Sequence, residues 1–173
     1  MALKLQDLDG VLVDADSLLR RDPQQALERV SRVKRFCDET DETVGGPSSG
    51  SKREMERDSY LAKALLIESE AHRILGNHRA ALDQAEKAWH YYEKWTILDG
   101  MAEVHALRGS VYAILGHQAK AMEACRDAMA FFQESGNARG EIRALNSLGR
   151  VYREIGDSVR AIECFEQAYD LAQ

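Results

Sequence analysis

Apolar residues recur along the second half of the chain at helical spacing. Leu145, Leu148, Tyr152 and Ile155 stand at i, i+3, i+7 and i+10, one stripe of a helix. Ala161, Phe165 and Ala168 form a second stripe, and Gly156 with Asp157 separates the two. A glycine ends a helix readily in the left-handed conformation, and an aspartate caps the next one. The pattern predicts an antiparallel helix pair that turns at Gly156. The same punctuation recurs upstream, because Gly76, Gly116 and Gly156 lie 40 residues apart. Ala81, Ala121 and Ala161 keep that spacing, as do Ala88, Ala128 and Ala168, and the pairs Gly100/Gly140, Gly109/Gly149 and Tyr112/Tyr152. Tyr91, Phe131 and Leu171 add one apolar residue per unit. Small residues sit where two helices must approach closely. One pair cannot bury its apolar face alone, and stacking copies buries it.

Upstream the period is interrupted. Asp22-Pro23 is a good helix start, and Ala26 stands 55 residues before Ala81. The excess over one period falls in the polar, Gly- and Ser-rich stretch around Pro47. The expected organisation is a degenerate first hairpin over 1–37 and an inserted polar loop over 38–54. Three hairpins follow over 55–173, at about 55–95, 96–135 and 136–173.

The segment 144–172, ALNSLGRVYREIGDSVRAIECFEQAYDLA, resembles a tetratricopeptide repeat at Leu148, Gly149, Tyr152, Gly156, Ala161, Phe165 and Ala168. The preceding copy matches at Gly109, Tyr112, Gly116, Ala121 and Ala128, with Cys125 in place of the aromatic. The copy before it keeps Gly76, Ala81 and Ala88, with Ser69 and His72 at the glycine and tyrosine positions. The usual period is about 34 residues, and a period of 40 resembles a longer-helix variety. The resemblance implies an all-α fold, a right-handed superhelix of about four antiparallel helix hairpins. It also implies a protein- or peptide-binding module and not an enzyme. Long-period repeats of this kind resemble the sensory halves of bacterial signalling proteins. Because the chain stops at Gln173 without a polar closing helix, it is expected to be the N-terminal regulatory part of a larger signalling protein, or to self-associate as a structural scaffold.

Charge and composition narrow the partners. The net charge of −6 disfavours nucleic acid and anionic membranes across the whole surface. Met1 to Gly10 lacks the apolar run of a signal peptide, and no stretch is long enough to cross a membrane. Cys37, Cys125 and Cys164 are too few and too scattered for a disulfide framework or a zinc site, which points to a cytoplasmic protein. The five histidines show no ligand spacing, so neither a metal nor a cofactor is expected. Trp89, Tyr91, Tyr92 and Trp95 read as packing between units, although Trp95 has only Ser135 one period on.

One motif points elsewhere. Asp7-Leu-Asp-Gly resembles the first motif of haloacid-dehalogenase phosphatases, in which Asp7 and Asp9 would handle a phosphoryl group with magnesium. That family needs a strand before the motif and a βαβ body after it, and neither pattern is present in the sequence.

In the tetratricopeptide family the first helix of each hairpin lines a groove. The corresponding stripe is Lys63, Leu66, Glu70 and Arg73 in the second copy and Glu103, Ala106, Ser110 and Ala113 in the third. In the fourth it is Arg143, Asn146, Arg150 and Arg153. The formal charges of the three stripes are +1, −1 and +3, so the groove is more basic than the chain and suits an acidic segment. The expected floor is Ala106, Ser110 and Asn146. A homodimer is expected through the C-terminal end, where Ile162, Phe165, Tyr169 and Leu171 have no following unit to cover them.

Overall fold

Glycines at positive φ punctuate the backbone. Gly76, Gly116, Gly136 and Gly156 have φ of 78°, 75°, 72° and 82°, the left-handed region that a side chain resists. Around each, the amide one residue on reaches back to a helical carbonyl: Asn77 to His72 at 2.8 Å, His117 to Tyr112 at 2.9 Å, Asn137 to Phe132 at 2.9 Å and Asp157 to Tyr152 at 2.9 Å. These bonds satisfy carbonyls that a helix end leaves open. The computed structural model describes residues 7–41 and 50–173. Among them lie eight helices and no strand. They are α1 (Leu8–Leu18), α2 (Pro23–Asp41), α3 (Gly50–Ile74), α4 (His78–Lys94), α5 (Leu98–Ile114), α6 (Gln118–Ser135), α7 (Ala138–Glu154) and α8 (Ser158–Asp170). Consecutive helices pair as hairpins: α1 with α2, α3 with α4, α5 with α6, and α7 with α8.

The polar stretch expected as a loop over 38–54 is helical at both ends, since α2 continues to Asp41 and α3 begins at Gly50. The reason is composition. Lys52, Arg53, Glu54, Met55 and Glu56 are all strong helix formers, so they extend α3 backwards. Residues 42–49, including Pro47, lie outside the described residues, as do residues 1–6.

The chain forms two units, Met1–Trp95 and Thr96–Gln173. In the first, Leu8, Leu12 and Ala15 of α1 pack with Val30, Val33 and Cys37 of α2 and Ala64 of α3. Asp22 starts α2, its carboxylate accepting the Gln25 amide at 3.0 Å. Ser69 stands where later copies have glycine. It is fully buried, and its hydroxyl donates to the Ala81 carbonyl at 2.6 Å. Near the far end of the same hairpin, Asp58 is also fully buried. Its carboxylate accepts from Arg57 at 2.9 Å, Lys94 at 2.8 Å and the Trp95 indole at 2.9 Å. Burial pushes the Asp58 carboxyl up, but the bonds from Lys94, Trp95 and Arg57 outweigh it and hold the pKa below the ordinary carboxylate value.

In the second unit, α5–α6 and α7–α8 share two clusters. One holds Cys125, Leu148, Tyr152, Ala161 and Cys164, and the other Ala102, Ala128, Phe132 and Ala144. Phe132 is fully buried, which contributes roughly 1.5–3 kcal/mol. Its ring lies where a Cβ on Gly140 would stand, 2.3 Å away, so only glycine admits it. Gly149 is matched the same way to the tip of Phe165, at 2.7 Å. Asp157 caps α8, accepting the Arg160 amide at 3.1 Å. Asp99 does for α5–α6 what Asp58 does for α3–α4, accepting from Ser135 at 2.7 Å and from Asn137 at 3.1 Å.

Candidate functional site

In the C-terminal unit α5 and α7 run side by side, with α6 packed against both. Small side chains leave a crevice between them. Gly109, Ser110 and Ala113 of α5 face Ser147, Arg150 and Glu154 of α7 across it, with Cys125 beneath. Its volume is about 10 Å³, room for a single water, so a ligand would lie along this face and not inside it. The Ser110 hydroxyl donates to the Ala106 carbonyl at 3.1 Å, and Ser147 donates to Arg143 at 3.0 Å. Both hydroxyl hydrogens are thereby used, and the oxygens remain as acceptors toward the face. Burial of Cys125 pushes its thiol up to about 11, with the nearby Arg150 charge opposing.

The three arginines of α7 differ in what they do. Arg143 is paired with Glu103 of α5 and lies 5.9 Å from the centre of the Phe132 ring. Arg150 and Arg153 are exposed, and neither has an ion-pair partner among the described residues. Of the floor expected from sequence, Ser110 lines the crevice. Ala106 and Asn146 do not: Ala106 packs toward Phe132 and Ala128, and Asn146 is exposed beside the crevice. Ser147 takes the place expected for Asn146. The difference is one step of helix rotation, which apolar periodicity does not resolve.

The N-terminal unit presents its own stripe. Glu70 and Arg73 hold each other through two bonds, Nε to Oε2 at 2.7 Å and Nη2 to Oε1 at 2.6 Å. Lys63 is exposed, 3.9 Å from Asp9 and 5.5 Å from the centre of the Tyr60 ring. Leu66 is half-buried. Tyr60 donates to Asp9 at 2.9 Å.

The phosphatase motif lacks its expected structural context among the described residues. Asp7 immediately precedes α1 and Asp9 lies in its first turn, so the motif's residues are helical. The strand it requires would fall on residues 1–6, which lie outside the described residues, and no βαβ body exists among the described ones. No cluster of three or more His, Cys, Asp or Glu placed to hold a metal occurs among the described residues. No described helix is long and apolar enough to cross a membrane. Ile162 and Tyr169 of α8 and Leu171 just after it are exposed, but Phe165 is half-buried because its ring covers Gly149.

Comparison with known proteins supplies the context. Residues 97–173 match the family model described as Tetratricopeptide repeat. No curated protein matches the chain. Two solved structures of MamA are similar in fold. One is 22% identical, with a TM-score of 0.53, over 96% of this chain and 90% of that one. The other is 19% identical, with a TM-score of 0.52, over 96% and 92%.

Proposed function

We propose that the chain, whose residues 97–173 match the tetratricopeptide repeat family model, is an interaction scaffold whose α5–α7 face holds an acidic segment of a partner protein. One observation carries the reading. Arg150 and Arg153 are exposed and have no ion-pair partner among the described residues, and Arg150 lines, with Glu154, a crevice floored by small side chains. An arginine fork takes a carboxylate through two parallel bonds, and such charge-assisted bonds are stronger than neutral ones. The free oxygens of Ser110 and Ser147 accept N–H groups of the bound backbone. The arginines therefore select charge, and the floor holds an extended chain.

Arg143 is the weaker contributor, because a ligand must displace Glu103 to use it. The three cysteines are buried thiols outside any disulfide among the described residues, in keeping with a reducing compartment such as the cytoplasm. A regulatory place within a larger signalling protein fits a face that binds without chemistry.

The test uses a fluorescent Glu-rich peptide titrated with the chain and read by anisotropy. Arg150→Glu is compared with Lys120→Glu, an exposed charge on α6. The expected result is roughly tenfold weaker binding for Arg150→Glu, little change for Lys120→Glu, and an affinity that falls with salt. Equal affinities for the two variants rule out the α5–α7 face.

A further inference from the structure

Arg150 and Glu154 stand one turn apart on α7 and line the same crevice. Both are exposed, and neither has an ion-pair partner among the described residues, the other included. Two comparable couples on this chain are joined. Glu70 holds Arg73 at 2.6 Å, and Asp157 holds Arg160 at 2.6 Å. An arginine four residues before a glutamate is the weaker order for pairing along a helix, so both groups stay available to a ligand. The repeat does not account for them. One period earlier the two places hold Ser110 and Ile114, and two periods earlier Glu70 and Ile74. The acid is also poorly placed for its own helix. Glu154 is the last residue of α7, where the carbonyl ends carry partial negative charge. A carboxylate there costs stability and attracts a cation. This end of the crevice therefore suits a positive group, and the small Ala113 across from Glu154 leaves room for its stem.

A wholly acidic ligand does not suit this rim. Its carboxylate next to the one on Arg150 would lie against Glu154, and like charges set against each other cost binding energy. Spacing says how far apart the two ligand charges stand. Residues four apart on a helix are separated by about 6 Å along its axis. In an extended chain, side chains two residues apart point the same way and are about 6.6 Å apart. The two spacings match. One ligand side chain can meet Arg150 while the next but one meets Glu154.

We infer that the α5–α7 face selects a mixed-charge segment, with an acid and a base two residues apart in an extended chain. The Arg150 fork takes the aspartate or glutamate, and the Glu154 carboxylate accepts from the lysine or arginine. On the reading of this face as the partner-binding one, on which this rests, Glu154 is the residue that rejects a purely acidic segment.

The probes are three labelled peptides that share one Ser-rich host and differ at its centre, which is Glu-Ser-Lys, Lys-Ser-Glu or Glu-Ser-Glu. Each is titrated by anisotropy with the full chain, with Arg150→Glu, with Glu154→Lys and with the exchange Arg150→Glu/Glu154→Arg. Both positions are exposed, and circular dichroism checks that each variant keeps its helices. One of the two mixed peptides is expected to bind the wild type about tenfold more tightly than Glu-Ser-Glu. Glu154→Lys reverses that order, and the exchange variant prefers the other mixed peptide. Suppose Glu-Ser-Glu binds as tightly as both mixed peptides and is still weakened by Arg150→Glu. Mixed-charge selection is then overturned, and the acidic-segment reading stands. A preference between the mixed peptides that the exchange leaves unchanged overturns the selection as well. Binding that ignores Arg150→Glu for every peptide, or no binding at all, overturns both readings.

Discussion

Trp95 donates its indole N–H to the carboxylate of Asp58 across 2.9 Å, joining the end of α4 to α3. A buried charge that loses its partners is costly, and a buried donor that loses its acceptor is nearly as costly. Asp58→Ala should therefore destabilise the chain by about 2–4 kcal/mol in urea melts, and Asp58→Asn, which keeps an acceptor for the indole, by less.

The same carboxylate sets a pH dependence. Its pKa is lowered in the folded chain, so it contributes stability that is fully present above the unfolded value near 3.8. That contribution is lost as pH falls through the folded value. Melts of the wild type should lose stability on acidification below about pH 4, and Asp58→Asn should lack that component of the loss.

Thr96 has φ of 52°, forty residues before Gly136 with φ of 72°. A β-branched residue resists this left-handed conformation, at roughly 1–2 kcal/mol, while glycine adds entropy to the unfolded chain. Thr96→Gly should raise stability by about 0.5–1 kcal/mol net. A melt that shows a loss would mean the threonine side chain holds more than its backbone costs.

Gly140 and Gly149 occupy similar places but should respond differently to alanine. At Gly149 the obstacle is the tip of the half-buried Phe165, which can swing aside. At Gly140 it is the whole edge of Phe132, which is fully buried. Alanine gains about 1 kcal/mol of helix propensity at either site. Gly149→Ala should be near neutral, and Gly140→Ala should cost about 1–3 kcal/mol from overpacking. Thermal melts of the two variants side by side measure the contrast.

Arg143 and Arg150 separate stability from binding. Arg143→Gln breaks the pair with Glu103 and should cost at most about 1 kcal/mol, because the pair is exposed. It should leave acidic-peptide affinity nearly unchanged. Arg150→Gln should do the reverse, with unaltered melts and several-fold weaker binding by anisotropy.

The hairpin turns were legible because a left-handed helix end nearly requires glycine, and Gly76, Gly116 and Gly156 mark it at a fixed interval. The partner of Trp95 was not. The hairpin-closing carboxylate is at Asp58 in one copy and Asp99 in the next, one residue out of period, and its donor changes from tryptophan to serine. A search for strict repeats passes over such a pair. On α5, Ser110 and Ala113 of the expected stripe line the crevice. On α7 the substitution of Ser147 for Asn146 depends on helix rotation, and the pairing of Arg143 depends on which arginine reaches Glu103. Neither is written in hydrophobic periodicity.

The carboxylates at Asp58 and Asp99 have a mechanical consequence. In α3–α4 and α5–α6 the glycine turn fastens one end of the hairpin, and the carboxylate fastens the other. A hairpin pinned only at its turn opens like a zipper, from the free end inward, one helical turn at a time. Pinned at both ends, it bears a separating load first on two or three polar bonds in a single row. Those bonds must part before the apolar contacts behind them can separate, and in α3–α4 the Ser69 bond to Ala81 then guards the turn.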